Sequence, residues 1–120
     1  MVDDDESVRE AMRNLILLLG YAVESFASAE EFLSYDRIGE VACLVTDVQM
    51  SGMSGIQLHD QMLVNGDRKP VIFVTAFPQE GVRARVLRDG AIGYLSKPLK
   101  PKCFIACLHR AIGDTISGLA

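Results

Sequence analysis

Apolar and polar positions along this chain alternate between two periods. From Glu6 to Leu19, apolar residues fall at Val8, Met12, Leu15 and Leu19, the spacing of one helix face, and Gly20 stops the run. Tyr21 to Phe26 alternates residue by residue and predicts a strand. Ser28 with Glu31 three residues on reads as a capping box, opening a helix through Phe32 and Leu33 toward Gly39. Val41 to Thr46 is almost wholly apolar, as a strand covered on both faces would be. Ser54 to Asn65 predicts a third helix through Ile56, Leu58, Met62 and Leu63, and Val71 to Thr75 a further buried strand. Glu80 to Asp89 predicts a helix with Val82, Val86 and Leu87 inward and Arg83, Arg85 and Arg88 outward. Ile92 to Ser96 is a short strand, and Pro101 to Ile112 sets Phe104, Leu108 and Ile112 on one stripe.

Strands alternating with helices imply right-handed β-α-β crossovers and a parallel sheet covered on both faces. Five helices and four strands are legible, and a fifth strand should precede the first helix. Only Met1 and Val2 stand there, whereas a strand commonly runs about five or six residues. The natural chain is therefore expected to start several residues upstream, or its start to be truncated. Residues 1–112 read as one domain and residues 113–120 as the beginning of a linker or tail.

Composition changes this picture little. The chain has 120 residues, 49% hydrophobic and 23% charged, the balance of one globular domain and not of a disordered tail. No apolar run approaches the ~18–20 residues of a membrane span, and acids rather than bases precede the longest, Leu15 to Leu19, unlike a signal peptide. A net charge of −4 gives no reason to expect direct nucleic-acid binding. Cys43, Cys103 and Cys107 read as buried small hydrophobes, an odd number that suits a reducing, cytoplasmic setting.

Chemistry enters at the ends of the strands. In an open parallel sheet, ligands sit outside the carboxyl ends of the strands. Asp3 and Asp4 fall at the end of the first strand, Asp47 at the third, Thr75 at the fourth and Lys97 at the fifth. Alone, Asp3, Asp4, Asp5 and Glu6 would pass for carboxylates at a helix N-terminus, and Asp47 for a turn-former. Together, these groups put acids, a hydroxyl and an ammonium on one rim. Clustered carboxylates repel unless a cation offsets them, and a hard divalent ion such as Mg²⁺ suits oxygen ligands. A carboxylate can also attack phosphorus, with cation, ammonium and hydroxyl left to hold the phosphoryl oxygens.

The order of motifs resembles a response-regulator receiver domain of two-component signalling, CheY-like in fold and nearest the FixJ-like branch. The resemblance is carried by Val2-Asp3-Asp4-Asp5-Glu6-Ser7-Val8-Arg9, Leu44 through Met50, and Gly52-Met53-Ser54-Gly55. Val74-Thr75-Ala76, Gly90 through Leu95 and Lys97-Pro98-Leu99 complete it, so that it spans Val2 to about Ile112. It implies a flavodoxin-like doubly wound α/β fold with a five-stranded parallel sheet, order 2-1-3-4-5, and five helices. It further implies Asp47 as phosphoacceptor, served by a sensor histidine kinase. Mg²⁺ would be held by Asp4 directly, Asp3 through water, Asp47, and the Gln49 backbone carbonyl. Thr75 and Lys97 would engage the phosphoryl group, the Lys97–Pro98 bond would be cis, and Tyr94 would be the switch aromatic.

The resemblance makes the fourth helix, fifth strand and fifth helix the output surface, with Arg83, Arg85, Arg88 and Lys102 as contact candidates and a homodimer as one use. Such a domain is not an enzyme in the ordinary sense, because it acts only on its own phosphoryl group. A DNA-binding output domain controlling transcription would lie outside this chain. Gln49 and Phe77, two residues beyond Asp47 and Thr75, would flank the path of attacking water. The main rival, an aspartate-nucleophile phosphatase or hydrolase, usually carries a second Asp two positions past its nucleophile as general acid, and Gln49 stands there. A flavin-binding module would need a Ser/Thr/Gly-rich phosphate loop where this chain is acidic. A stand-alone receiver acting by protein–protein contact stays open as an alternative.

Overall fold

A computed structural model describes residues 1–112. Among these, β1 (Leu44–Asp47), β2 (Val71–Thr75) and β3 (Gly93–Ser96) form a parallel sheet in the order β1-β2-β3. The helices are α1 (Glu6–Leu18), α2 (Ala29–Leu33), α3 (Gly55–Val64), α4 (Glu80–Arg88) and α5 (Pro101–Ile112), with a 3₁₀ turn at Ile38–Glu40. The register sets Asp47 opposite Val74 and Thr75 opposite Ser96, so the carboxyl ends of all three strands share one rim.

The expected five strands are thus three. Val2 makes isolated parallel bridges to Phe26 on one side and Thr46 on the other. Its amide donates to the Val45 carbonyl at 2.8 Å and its carbonyl accepts from Asp47 N at 3.0 Å. Across the other edge, Asp3 N donates to Phe26 O and Phe26 N to Met1 O, at 3.1 and 2.8 Å. The lateral order Phe26, Val2, β1, β2, β3 is therefore that of a 2-1-3-4-5 sheet, with its first two members reduced to single rungs. Tyr21 to Ser25, strand-like in sequence, receive one backbone bond across this edge, from the Met1 amine to Glu24 O at 2.9 Å, and stay irregular.

Alternation along the buried strands divides the core. Val71 and Phe73 pack with Phe32 of α2, Leu58 and Met62 of α3 and Val86 of α4. Ile72 and Val74 face the other side, with Met12 and Ile16 of α1 and Phe104 and Leu108 of α5. Phe73 and Phe104 are fully buried, and each such side chain stabilises by about 1.5–3 kcal/mol through the area it removes from water. The helix boundaries have local causes. Asp5 caps α1, accepting from Ser7 N and Val8 N, and Gly66 and Gly90 take the left-handed conformation just past α3 and α4, at φ 80° and 103°. The reciprocal capping box is at Ser54 and Gln57 of α3, while at the start of α2 only half of one forms, Ser28 accepting from Glu31 N. Two further expectations change: Cys103 is exposed and Cys43 only partly buried, and Leu87 lies at the rim of α4, 37% exposed.

One buried group gives the fold a pH dependence. His59 on α3 is 5% exposed, its ring 5.6 Å from Phe73 in edge-on contact. Burial lowers its pKa below the ordinary 6.5, against the opposing pull of Asp60 and Asp89. The unfolded chain therefore takes up this proton first. Stability is full above about pH 6.5 and declines as pH falls through the lowered folded value. In His59→Leu, denaturant melts between pH 7.5 and 5 are expected to lose that share of the decline, and an unchanged slope would exclude His59 as its source.

Candidate functional site

The acidic run at the N-terminus separates into three roles. Asp3, continuing from the doubly bridged Val2, is completely buried. Asp4 is exposed and turns to the loop after β1, accepting from Ser51 N at 3.0 Å and Ser51 Oγ at 3.4 Å. Asp5 is spent on capping α1. Asp47 closes β1 and is 6% exposed. One carboxylate oxygen each from Asp3, Asp4 and Asp47 lies within 4.8 Å of the others.

Lys97 completes the group from just past β3, where its amide donates to Thr75 O at 2.8 Å and the Lys97–Pro98 bond is cis. Its ammonium donates to Asp3 Oδ2 at 3.1 Å and Asp47 Oδ2 at 3.3 Å. Burial pushes the Asp47 pKa up and the Asp3 charge adds to this, with Lys97 pulling the other way. Burial alone would lower Lys97, but hydrogen bonding and charge from Asp3, then Asp47, hold it above the usual lysine range. One cation thus serves two carboxylates while a third stands by, and the excess negative charge favours a further positive ion. Convergent hard oxygens, two on buried carboxylates and one on an exposed one, fit a divalent metal ion.

Thr75 ends β2 and is fully buried. Its hydroxyl donates to Gln49 Oε1 at 2.7 Å and accepts from Phe77 N at 3.0 Å. Gln49 is exposed, and its side chain reaches back to Thr75. Tyr94 on β3 is buried, at 6% exposure, with its hydroxyl accepting from Gln79 N at 3.1 Å. On α4, Arg83 and Arg88 face solvent and Arg85 pairs with Asp60 of α3 at 2.9 Å, and Lys102 on α5 is exposed. The structure thus brings Asp3, Asp4, Asp47, Thr75, Gln49 and Lys97 to one rim, with Tyr94 beyond Thr75.

Sequence reading missed two partners. Ser51 holds Asp4 from 47 residues away, and the Arg9 guanidinium donates to the Asp3 carbonyl at 2.7 Å. The first has no local sequence signal. The second could have been suspected from an arginine one turn past a helix-capping aspartate.

With this arrangement in view, comparison with known proteins identifies the class. Residues 1–109 match the response regulator receiver domain, and the chain belongs to that family of two-component signalling domains. It is 30% identical over 112 residues to the response regulator protein TodT of Pseudomonas putida, covering 93% of this chain and 49% of that protein. It is 32% identical over 113 residues to the transcriptional regulatory protein FixJ of Azorhizobium caulinodans, covering 94% and 54%. The solved structure of the response regulator StyR superposes with a TM-score of 0.86 at 37% identity, covering 97% of this chain and 59% of that one. The chain spans about half the length of the two sequence relatives. Response regulators act with sensor histidine kinases, and no helix among the described residues is long and apolar enough to cross a membrane.

Proposed function

We propose that residues 1–112 form a phosphoacceptor unit, with Asp47 taking a phosphoryl group from a phosphohistidine of a sensor histidine kinase. One observation carries this reading: a single ammonium, Lys97, within hydrogen-bonding distance of both Asp47 and Asp3, beside a third carboxylate. A carboxylate oxygen of Asp47 attacks phosphorus, the N–P bond breaks, and its electron pair stays on the histidine ring. Lys97 then pairs with a phosphoryl oxygen. Asp3, Asp4, Asp47 and the Gln49 carbonyl would hold Mg²⁺, whose charge neutralises the phosphoryl oxygens. Thr75 would donate its hydroxyl to the phosphoryl group.

The response passes to the surface of α4, β3 and α5, where Tyr94 and the exposed arginines lie, and a second copy or an output domain would read it there. An output acting on transcription fits relatives named as transcriptional regulators, and residues 113–120 would begin the linker toward it. The cytoplasm is the compartment this role requires. The test is incubation with acetyl phosphate and Mg²⁺ followed by intact mass, which should gain one phosphoryl group. No gain would reject the reading.

Phe77, 69% exposed, lies two residues past Thr75, where it would narrow the approach of water to a phosphorylated Asp47. Phe77→Ala is expected to lose phosphate a few-fold faster than the parent in a time course by mass. Equal or slower loss would show that the ring does not shield the site.

A further inference from the structure

The Thr75 hydroxyl has one proton to donate, and that proton is committed. It points to Gln49 Oε1 at 2.7 Å, at the strong end of O–H···O geometry, while Phe77 N occupies the acceptor side at 3.0 Å. Thr75 is fully buried, so no bulk water competes for it, whereas Gln49 is exposed and its side chain can swing into solvent. Thr75 ends β2 and Gln49 lies two residues past Asp47, the end of the neighbouring β1: Asp47 pairs with Val74, and the Val48 amide donates to Val74 O at 3.1 Å. The bond therefore spans the rim directly beside Asp47. Any anion on Asp47 that is to receive the Thr75 proton must first take it from Gln49.

We propose that Gln49 is a positioning residue that latches the Thr75 hydroxyl and weights the domain toward its resting arrangement. This rests on the reading of Asp47 as phosphoacceptor. Release of the latch is coupled to occupancy of Asp47, so Gln49 lowers the affinity of the site for a phosphoryl-like anion through Thr75 alone. The exchange of one hydrogen bond for another keeps the effect modest, about two- to tenfold. A bond that only braced the loop after β1 would change loop order without changing how strongly Thr75 couples to the anion.

The test is a double-mutant cycle on beryllium trifluoride binding in Mg²⁺, with beryllium trifluoride as the phosphoryl stand-in. Gln49→Met keeps the length of the side chain and removes its acceptor. It should tighten binding about two- to tenfold with Thr75 present, leave binding unchanged on a Thr75→Val background, and tighten it again on Thr75→Ser, which keeps the hydroxyl. Without metal or anion, three-bond couplings to the Thr75 methyl should report one rotamer in the parent and an average in Gln49→Met. An equal shift with and without the hydroxyl, or no shift while the parent binds, would overturn the latch and leave the phosphoacceptor reading intact. Failure of the parent to bind, or equal binding by Asp47→Asn, would overturn both.

Discussion

Asp47→Asn is expected to abolish phosphoryl incorporation from acetyl phosphate while making the metal-free domain more stable at neutral pH. The first effect follows from chemistry: an amide oxygen neither carries the charge that attacks phosphorus nor forms a stable phosphoryl ester there. The second follows from the placement of Asp47. Burial, and then the Asp3 charge, push its pKa above the ordinary 3.8, so the ionised form is disfavoured in the folded state. At neutral pH the full cost is present. It fades as pH falls through the raised folded value and is gone below about 3.8, where both states are protonated. The stability gain of the mutant should therefore be largest near neutrality and vanish in acid. Lys97 keeps Asp3 as a partner at 3.1 Å, so the substitution does not strand its charge. Intact mass and thermal melts at several pH values check both. Phosphoryl uptake by the mutant would reject Asp47 as acceptor, and a lower melting point at neutral pH would reject the electrostatic account.

Gly55→Ala is expected to cost more stability than a surface substitution and to impair the site together with the fold. Gly55 begins α3 and donates its amide to Val48 O at 2.9 Å. A Cβ there would overlap the Asp47 carbonyl oxygen and approach Val48 Cα at 3.2 Å. Both are backbone atoms at the end of β1, so no side-chain rotation relieves the overlap. Overpacking of this kind costs about 1–3 kcal/mol or more, a large share of the roughly 5–15 kcal/mol of a typical domain. Either α3 retreats or Asp47 moves, and phosphoryl uptake should fall in both cases. Gly39→Ala, where a Cβ meets nothing within 4 Å, is the matched control and should melt close to the parent. Equal melting points for the two variants would refute the packing argument.

The periodic elements were legible because their physics is local. α5 runs from Pro101 to Ile112 as its stripe of Phe104, Leu108 and Ile112 predicts, and β2 covers the apolar run from Val71 to Thr75. Tyr21 to Phe26 failed because strand formation is a pairwise event, and alternation cannot reveal how little backbone stands opposite. The site was legible as residue types at strand ends, since topology carries those positions to one rim. Its connections were not: the Thr75–Gln49 and Asp4–Ser51 bonds depend on loop paths that no spacing encodes.

Val2 bridges Phe26 on one side and Thr46 of β1 on the other, with the bonds to Phe26 made by its neighbours Met1 and Asp3. Phe26 also stacks edge-on against Phe32 and Tyr35, with centroids 5.3 and 5.1 Å apart, and the buried Phe32 anchors this group in the core beside Phe73, Leu58 and Met62. The segment from Tyr21 to Phe26 is thus joined to residues 1–3 by three backbone bonds, at Glu24 O, Phe26 N and Phe26 O, and can open there while α2 and the three-stranded sheet stay packed. Local opening is drawn from regions of few backbone bonds, so the molecule has a loose flank and a firm centre. Asp3 and Asp4 follow Val2 directly and sit on the seam between them, which makes the acidic half of the site the part most sensitive to anything that grips or frees that flank.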